Sequence, residues 1–490
     1  MNHRPTRLDL RPGSQFLMAL CAAILLWTAA LPFCRAFLLM EIDYNEGWNV
    51  YNAQKVAEHQ PLYPTAYAWT TVNYPALSFH LIAAMGRSTS DYLFTGRMLS
   101  LAGLCLSGVF AGLIVWHTTR SRSAAWLSGL FLVAFFCATA SGYVGMDDPQ
   151  MLAQAFLMAG IYVYLRGSRT GWALELTALL FVVGGNIKHN LIEFPLAVLL
   201  DLLFSSPRKA LRFAVGGALM AALSVVLTRH IDGAAYISCL LTPRSYSALA
   251  GISTMLSLPF YSPLSTLAAL YTACICWKNP TRRILALLLF CALAVDTYFS
   301  GGSGVDVNGI FGSMLAIVLL CGVFWADFSS LPLRQTFVRS PLAVCSIFFL
   351  GLAIPMIRSG NGRTDKVLQE SREEARRFAV EVAYLRQQPG TALCESMLRC
   401  AYAGKPYLYD PFNATRFVQL GKLDPNVIVD RLRNHEYGAV QLYDSVEDKI
   451  AEPNPQQCFA LSILQAIGQY DRPGLDNEDG VIYLPKGQDE

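Results

Sequence analysis

A group of carboxylates follows the first long apolar run of the sequence. The stretch "LLMEIDYNEGWNVYNAQ" places Glu41, Asp43 and Glu46 close together, directly before an amphipathic pattern. Asp43 and Glu46 are three positions apart, so they share one face if a helix begins here. A carboxylate that is partly removed from water has a raised pKa and can act as a general base. The alternative interpretation is that these acids favour a helix N-terminus because of the helix dipole.

A second acidic motif, "GYVGMDDPQMLAQA", lies where one apolar run ends and the next begins. Asp148 before Pro149 is typical of a helix start, with Asp as the N-cap and Pro at the first helical position. This explains Asp148 but not Asp147. Together with the acids of the first motif, this pair can hold a divalent cation through oxygen ligands, or orient an acceptor group. We expect capping for Asp148 and leave the role of Asp147 open.

A third polar group, in "GGNIKHNLIEFPLAVLL", sets Lys188, His189 and Asn190 between two short apolar runs. A lysine in this position either snorkels to the membrane surface or provides a point charge for a phosphate or pyrophosphate. The neighbouring His and Asn favour the phosphate. Arg244 is a further candidate for the same role, on a weaker signal.

The glycine-rich stretch "YFSGGSGVDVNGIFG" carries Asp306 and Asn308. Its glycines permit a close approach of the backbone to a ligand, although a plain turn would use them too. The candidates for orienting a substrate or a metal ion are therefore Asp147, Asp148, Asn190, Asp306 and Asn308.

The composition indicates that most of the chain faces lipid. Hydrophobic residues make up 54% of the 490 residues and charged residues only 15%, whereas a soluble domain carries about 25% charged residues. The formal net charge of +3 gives no reason to expect a nucleic-acid partner. About eleven runs approach the roughly 20 residues that cross a bilayer. They lie near 16–40, 92–116, 124–144, 149–165, 172–187, 190–204, 210–228, 253–277, 284–300, 309–326 and 340–357.

The positions of the basic residues predict the orientation of these spans, because Lys and Arg accumulate in cytoplasmic loops. The basic N-terminal tail and every second loop are rich in Lys and Arg, and the loops between them hold the acids. This alternation predicts a multi-pass protein of the cell (inner) membrane with a cytoplasmic N-terminus. Residues 1–357 are then a membrane domain, and residues 358–490 are a soluble extracytoplasmic domain.

The first outer loop, residues 41–91, is longer than a simple connection. Two pieces have apolar and aromatic residues at helical spacing but are too short to span, which predicts helices lying in the membrane interface. Its aromatic residues are expected at the depth of the lipid headgroups; they are Trp48, Tyr51, Tyr63, Tyr67, Trp69 and Tyr74.

The polar tail predicts a small α/β domain. The segments "TALCESM", "PYLYDPF", "YGAVQLYD" and "GVIYLP" are typical of short strands, and "TDKVLQESREEARRFAVEVAYLRQQPG" of a charged amphipathic helix. Cys394 and Cys400 can form a disulfide if this side of the membrane is oxidising, with Cys458 as an alternative partner. The fold class expected from these features is an all-α polytopic membrane bundle with a small C-terminal α/β domain.

The ordered set of these motifs resembles a known family. "DYNEGWNVYNAQ" with "PLYP" and "VNYPALSF" resembles the first outer loop of integral-membrane glycosyltransferases of the GT-C class. The likeness continues through "DDPQ", "IKHNLIEFPLA", "SGGSGVDVNG" and "AGKPYLYDPF", and it is greatest with the bacterial members grouped with protein mannosyltransferases and the aminoarabinose transferase of lipid A. This chain has Asn45-Glu46 where many members have Asp-Glu, and Pro75-Ala76 where many have Pro-Pro.

This resemblance implies transfer of a sugar from a polyprenyl-phosphate donor to a lipid, glycan or protein acceptor on the outer face of the membrane. Asp43 would be the general base, with Glu46 in support, and direct displacement would invert the anomeric configuration. Lys188, with His189 and Arg244, would bind the donor phosphate. No cofactor is assigned, and a divalent cation is a candidate. The main alternative is a transporter or flippase of lipid-linked glycans, which more often shows broken spans in paired halves.

Overall fold

The structure is a computed structural model that describes residues 12–167, 171–329, 341–451, 459–478 and 480–486. Its first part, up to residue 358, is helical apart from the connections. The helices of this part are α1 (Pro12–Arg35), α2 (Asn45–Ala57), α3 (Leu77–Thr89), α4 (Tyr92–Thr119), α5 (Arg122–Thr139), α6 (Gln150–Arg166), α7 (Gly171–Ile187), α8 (Glu193–Ser205), α9 (Pro207–Asp232), α10 (Tyr236–Leu240), α11 (Ala248–Tyr261), α12 (Pro263–Trp277), α13 (Arg283–Ser300), a 3-10 turn (Val307–Ile310), α14 (Phe311–Ser329), α15 (Pro341–Gly351) and α16 (Ala353–Arg358).

Each predicted apolar stretch contains helix, so the predicted membrane bundle is confirmed. Among the described helices, seven are long and apolar enough to cross a membrane, or up to eight if a sharply bent pair counts as one span. Two of the predicted spans, at 149–165 and 190–204, form helices of only 17 and 13 residues. The apolar helices and their arrangement make the chain a multi-pass membrane protein.

The predicted run 253–277 is not one straight helix. It forms α11 and α12, which are bent by 103° at the break between them. Pro259 lies inside α11 and Pro263 opens α12, while Ser262 between them is out of the helical region. Proline removes a backbone donor and clashes with the preceding turn, so two prolines this close interrupt the span.

The helices differ in what they pack against. In the most apolar 18-residue stretch around α14, 94% of the residues are buried, because other helices surround it. In the most apolar stretch of α9, only 11% of the residues are buried. The large apolar side chains that α9 leaves exposed would be costly in water and are suited to contact with lipid; they include Leu211, Leu219, Leu223 and Val226.

Residues 359–486, which we call the C-terminal α/β region, contain a four-stranded sheet of order β1-β2-β4-β3. β1 and β2 are parallel, and the other two pairs are antiparallel. The elements are α17 (Thr364–Gln387), β1 (Thr391–Cys394), α18 (Met397–Tyr402), α19 (Pro411–Gln419), α20 (Asn426–Arg433), β2 (Tyr437–Leu442), α21 (Val446–Ala451), α22 (Leu461–Tyr470), β3 (Asp471–Asn477) and β4 (Gly480–Pro485).

Three of the four predicted strands are confirmed as β1, β2 and β4, and the long amphipathic helix as α17. The strand predicted in "PYLYDPF" is wrong, because α19 begins at Pro411 and Asp410 caps it by accepting the N–H of Asn413. The sequence analysis missed β3, whose letters "DRPGLDN" are typical of a turn. It is an edge strand paired only with β4, where Pro is tolerated.

The first outer loop forms two helices, but its aromatic residues are not all at headgroup depth. Trp48, Tyr51 and Tyr63 are buried in protein. The C-terminal α/β region covers α2: the Tyr51 hydroxyl donates to the carbonyl of Lys405 over 2.8 Å, and its ring stacks on Tyr407 at 4.7 Å. Aromatic side chains are equally suited to a protein contact, so their composition did not predict which environment they occupy.

Cys394 and Cys400 form a disulfide. The alternative partner, Cys458, lies outside the described residues. The disulfide joins the end of β1 to α18, the helix that contacts α2.

A buried charge network joins the C-terminal α/β region to the first outer loop. Arg399 contacts both Glu41, at 3.1 Å, and Glu381, and all three side chains are almost completely buried. Ser396 and Tyr443 donate hydrogen bonds of 2.6 and 2.8 Å to Glu41. Burial raises the pKa of Glu41 to about 7 even though the Arg399 charge opposes it. The contact therefore depends on one arginine that serves two carboxylates.

We expect Arg399→Gln to destabilise the protein by about 3–5 kcal/mol, because it leaves two buried carboxylates without a cation. Thermal unfolding of the detergent-solubilised protein would measure this loss. The matched control is Arg433→Gln, which breaks an exposed pair with Asp430 and should leave the unfolding temperature nearly unchanged. Equal shifts for both variants would contradict the assigned role of the network.

Candidate functional site

Asp43 lies in the connection between α1 and α2 with part of its side chain exposed. Its Oδ1 accepts two hydrogen bonds from Asn45, one from the backbone N–H at 3.0 Å and one from the side-chain amide at 2.6 Å. Burial, together with the negative charges of Glu46 and Asp148, raises the pKa of Asp43 although the Asn45 bonds oppose it. Asp43 thus combines a fixed orientation with an increased affinity for protons.

Glu46 is completely buried and fully paired. Arg97 of α4 binds both of its oxygens through one edge of the guanidinium, over 2.7 Å from Nε and 2.6 Å from Nη2. The backbone N–H groups of Ile42 and Asp147 donate to the same carboxylate over 2.8 and 3.0 Å. Arg97 also donates to the carbonyls of Leu38 and Met40. Glu46 therefore orders the loop around Asp43, with no oxygen left over for a proton from a substrate.

Asp147 is buried beside this ion pair, and its Oδ2 has no hydrogen-bond partner in the described structure. Burial, reinforced by the charge of Glu46, raises the pKa of Asp147 well above its ordinary value. Its carboxylate lies against Gly96 of α4 so closely that a Cβ at that position would overlap it. The glycine is required here because it leaves the space that Asp147 occupies.

Asp148 and Lys188 come together from different parts of the chain. Asp148 Oδ1 accepts the N–H of Gln150, the first residue of α6, over 2.8 Å. The N-cap position itself is Pro149, so α6 begins one residue later than predicted and Asp148 lies just before the N-cap. Its Oδ2 lies 3.5 Å from Lys188 Nζ. The Lys188 ammonium is also 3.7 Å from the centre of the Tyr74 ring. Lys188 is buried, and none of its donors makes a hydrogen bond within the described residues. A buried ammonium with one ion pair at 3.5 Å and no hydrogen bond still has N–H donors for an anionic ligand.

His189 and Asn190 follow Lys188 in the same short connection. Burial among neighbouring groups and the positive charges of Lys188 and Arg244 lower the pKa of His189 to about 4, so its imidazole is neutral at physiological pH. Asn190 Oδ1 is buried without a hydrogen-bond partner among the described residues. The connection therefore offers one charged and two neutral polar side chains.

A small polar cavity lies between the first outer loop, the helical bundle and the C-terminal α/β region. Its lining residues are Tyr44, Asn45, Trp48, Asn73, Tyr74, Tyr143, Arg244, Gly304, Asn308, Asp410, Phe412 and Asn413. Two predicted site residues, Arg244 and Asn308, thus line it directly. Asp43 adjoins it next to Tyr44 and Asn45, and Lys188 adjoins it across the Tyr74 ring.

The phenol of Tyr143 lies near the centre of the predicted acids. Burial raises its pKa, and the charges of Asp306, Asp148 and Asp43 raise it further. Asp306 is exposed, and its backbone N–H contacts Asn308 Oδ1 at 3.3 Å. Of the predicted residues, Arg244 and Asn308 therefore line the cavity, and Asp43, Asp148 and Asp306 are near enough to Tyr143 in its lining to affect the pKa of the phenol.

The divalent cation stays a prediction. The described residues contain no group of three or more His, Cys, Asp or Glu side chains that could hold a metal. Glu46 forms an ion pair with Arg97, and Asp148 accepts a hydrogen bond from Gln150 and forms an ion pair with Lys188. The donor set around Asp147 therefore does not fit a metal ion.

The sequence analysis missed the residues that support the site. Arg97 carried a usable signal, since an arginine inside an apolar run is costly and marks an important contact. Arg399 and Asp410 carried none, because they contact the first outer loop only through the fold. Asn73 belongs to that loop, but the sequence does not indicate its partner Asn413. Asn73 contacts Asn413 at 3.3 Å, and Asp410 holds the Asn413 amide at 2.6 Å.

No protein-family model matches the sequence, and no curated protein matches it. Solved structures do match its fold. ArnT from Cupriavidus metallidurans in the apo state has a TM-score of 0.61 and 12% identity, over 96% of this chain and 98% of that chain. The chain shares the fold of ArnT. The structure of ArnT bound to undecaprenyl phosphate gives a TM-score of 0.58 at 12% identity, over 96% of this chain and 97% of that one. The predicted resemblance to the GT-C class is thus confirmed at the level of the fold.

Replacing Gly96 by Ala should destabilise the protein by roughly 1–3 kcal/mol, because the new methyl group displaces the Asp147 carboxylate from a closely packed site. Ala is otherwise the better helix former, so helix propensity cannot cause the loss. The control is Gly185→Ala in α7, where a Cβ meets nothing within 4 Å. Thermal unfolding should separate the two variants, and a stabilised Gly96→Ala protein would contradict the packing described here.

Proposed function

We propose that the protein is a glycosyltransferase that transfers a sugar from a polyprenyl-phosphate donor to an acceptor hydroxyl. The observation that carries this proposal is that a partly buried carboxylate, Asp43, and a buried cation, Lys188, each contact a residue that lines the same polar cavity. Asp43 is hydrogen-bonded to Asn45, and Lys188 lies over the ring of Tyr74. The fold similarity supports a lipid-phosphate donor, since one of the ArnT structures is bound to undecaprenyl phosphate. The acceptor hydroxyl belongs to a lipid, a glycan or a protein.

In the proposed reaction, Asp43 takes the proton of the acceptor hydroxyl as its oxygen attacks the anomeric carbon. The bond between that carbon and the phosphate oxygen breaks, and its electron pair leaves with the polyprenyl phosphate. This leaving group is already an anion, so it needs charge stabilisation more than a proton. Lys188 and Arg244 supply this, because preorganised cations act on charge as it develops. A single displacement inverts the anomeric configuration.

We also propose that the site faces away from the cytoplasm, in the inner membrane of the cell, with the N-terminus on the cytoplasmic side. The Arg-rich loops support this orientation under the positive-inside rule. Asp43 follows the C-terminal end of α1, so the site lies at the opposite end of this helix from the N-terminus. The C-terminal α/β region contacts the same end and is then extracytoplasmic.

We expect Asp43→Asn to lower sugar transfer by roughly 10²–10⁴-fold, the usual contribution of a general base. Purified protein would be incubated with a panel of labelled polyprenyl-phosphate sugars, with and without a chelator, and the release of sugar measured. Glu58→Gln is the control, since Glu58 is an exposed acid of the same loop. Near-normal transfer by Asp43→Asn would remove Asp43 from the mechanism.

The same assay tests the transporter alternative. If the unaltered protein releases no sugar from any donor but moves lipid-linked sugars across liposome membranes, the glycosyltransferase proposal fails. Loss of transfer on addition of a chelator would restore the divalent cation to the mechanism.

The acid side of the pH profile of kcat/KM should reflect Asp43. Since its pKa is raised and the base must be ionised, activity should rise with pH through a midpoint above roughly 3.9, the value for a free Asp side chain. Glu41 is the other acid of this loop with a raised pKa, about 7. If Asp43 is the base, the Glu41→Gln variant should still show the rise of kcat/KM with pH at the same midpoint. Loss of this pH dependence in Glu41→Gln would assign the titration to Glu41 instead.

A further inference from the structure

Two buried carboxylates inside the helical bundle have no part in the proposed reaction. Glu193 is the first residue of α8, and Asp296 lies within α13, one of the helices long and apolar enough to cross a membrane. Glu193 is completely buried, and Asp296 is 4% exposed. Ionisable groups at membrane depth are costly to retain and usually serve a function, which calls for an account of this pair.

The two carboxylates approach each other at Gly312, the second residue of α14. Both α8 and α14 pack against α13. A Cβ built on Gly312 would lie 2.6 Å from Glu193 Oε1 and 3.1 Å from Asp296 Oδ1, so both oxygens border the space beside this glycine. Among the described residues, neither acid forms an ion pair, and the nearest lysine along the chain, Lys188, is paired with Asp148. The protein supplies no cation for two buried acids.

Several oxygen atoms in this region have no hydrogen-bond partner among the described residues. Both oxygens of Glu193 are in this state, and so are the buried hydroxyls of Ser300 and Ser313. Ser300 lies one turn after Asp296 on the same face of α13, and the backbone N–H of Ser313 donates to Asp296 Oδ2 over 2.7 Å. A single shared proton pairs one oxygen with another and leaves the rest unsatisfied, whereas one cation contacts several oxygens at once.

The charge of the pair fits a monovalent cation. Glu193 opens α8, and Asp296 is bound by the third residue of α14, so each carboxylate lies at a helix N-terminus. Each N-terminus is equivalent to about half a positive charge, so the two together offset roughly one of the two negative charges. One further positive charge balances the remainder. A divalent ion fits less well, because Ca²⁺ takes about six to eight oxygen ligands and Mg²⁺ keeps several waters.

We propose that Glu193 and Asp296 bind one alkali-metal cation, Na⁺ or K⁺, inside the helical bundle, with the hydroxyls of Ser300 and Ser313 as further oxygen ligands. The bound ion joins α8, α13 and α14, and so stabilises the part of the bundle next to the polar cavity. The link to the cavity is short, since the Ser300 hydroxyl lies against Gly309, the residue after Asn308 in the cavity lining.

The first test measures thermal unfolding of the purified full-length protein in detergent. NaCl or KCl replaces choline chloride at constant ionic strength and pH, with EDTA present to remove divalent ions. The unfolding temperature should rise with the concentration of the bound ion, because a ligand that binds only the folded state stabilises it. The double variant Glu193→Gln/Asp296→Asn leaves no unpaired buried charge, so it should fold and should lose this rise.

The matched control is Glu175→Gln, which removes a partly exposed acid of α7 that is paired with Arg212. This variant should keep the full dependence on the alkali-metal ion. An equal loss of the dependence in the control would show that the effect does not arise at Glu193 and Asp296.

The second test measures equilibrium binding of radiolabelled Na⁺, with KCl as the competitor. Asp296→Asn should weaken binding by roughly a hundredfold or more, because it removes one of the two charges that hold the ion. Gly312→Ala keeps both acids but places a methyl group against their oxygens, so it should also weaken binding. This variant tests the geometry even if the charge variants do not fold. Stronger competition by KCl than by unlabelled NaCl would identify K⁺ as the preferred ion.

The proposal is overturned if only divalent ions stabilise the protein in a parallel titration without EDTA. It is also overturned if stability depends on pH but on no cation, since the two acids then share a proton. Neither measurement involves sugar transfer, so the cation site and the proposed reaction are tested separately.

Discussion

The buried ion pair between Glu46 and Arg97 holds the candidate site in place. Two charges with less than 2% of their side chains exposed are costly to bury, and they are stable here because every hydrogen-bonding position is used. Through this pair, α4 fixes the chain after α1, the start of α2 and the loop that carries Asp147. Asp43 lies between the residues so fixed. The ion pair therefore fixes the position of the loop around Asp43, although this loop is not part of a helix.

A second constraint is the contact of the C-terminal α/β region with the first outer loop. Arg399 crosses the junction to Glu41, two residues from Asp43, and α19 supplies one side of the polar cavity. The cavity is therefore shared between parts of the chain that are more than 300 positions apart. A substrate that occupies it would contact both parts, which links substrate binding to the docking of the C-terminal region.

Much of the fold was predictable because apolar composition alone decides which segments lie in the membrane. The helices of the bundle, α17 and three strands follow from the sequence pattern. The break between α11 and α12 was readable from Pro259 and Pro263 but was overlooked. The edge strand β3 and the extended segment before α19 were not readable, since their backbones are held by β4 and by Trp69.

The candidate residues were found by their type and by their place at the ends of apolar runs. By itself the sequence determined that carboxylates, a lysine and a polar glycine-rich loop occur there, because such groups are too costly to retain in lipid without a purpose. Only the tertiary structure decided that both oxygens of Glu46 are bound by Arg97 and by backbone N–H groups, while Asp43 keeps one oxygen free. Charges are neutralised by their neighbours in space, and spacing along the chain does not specify those neighbours.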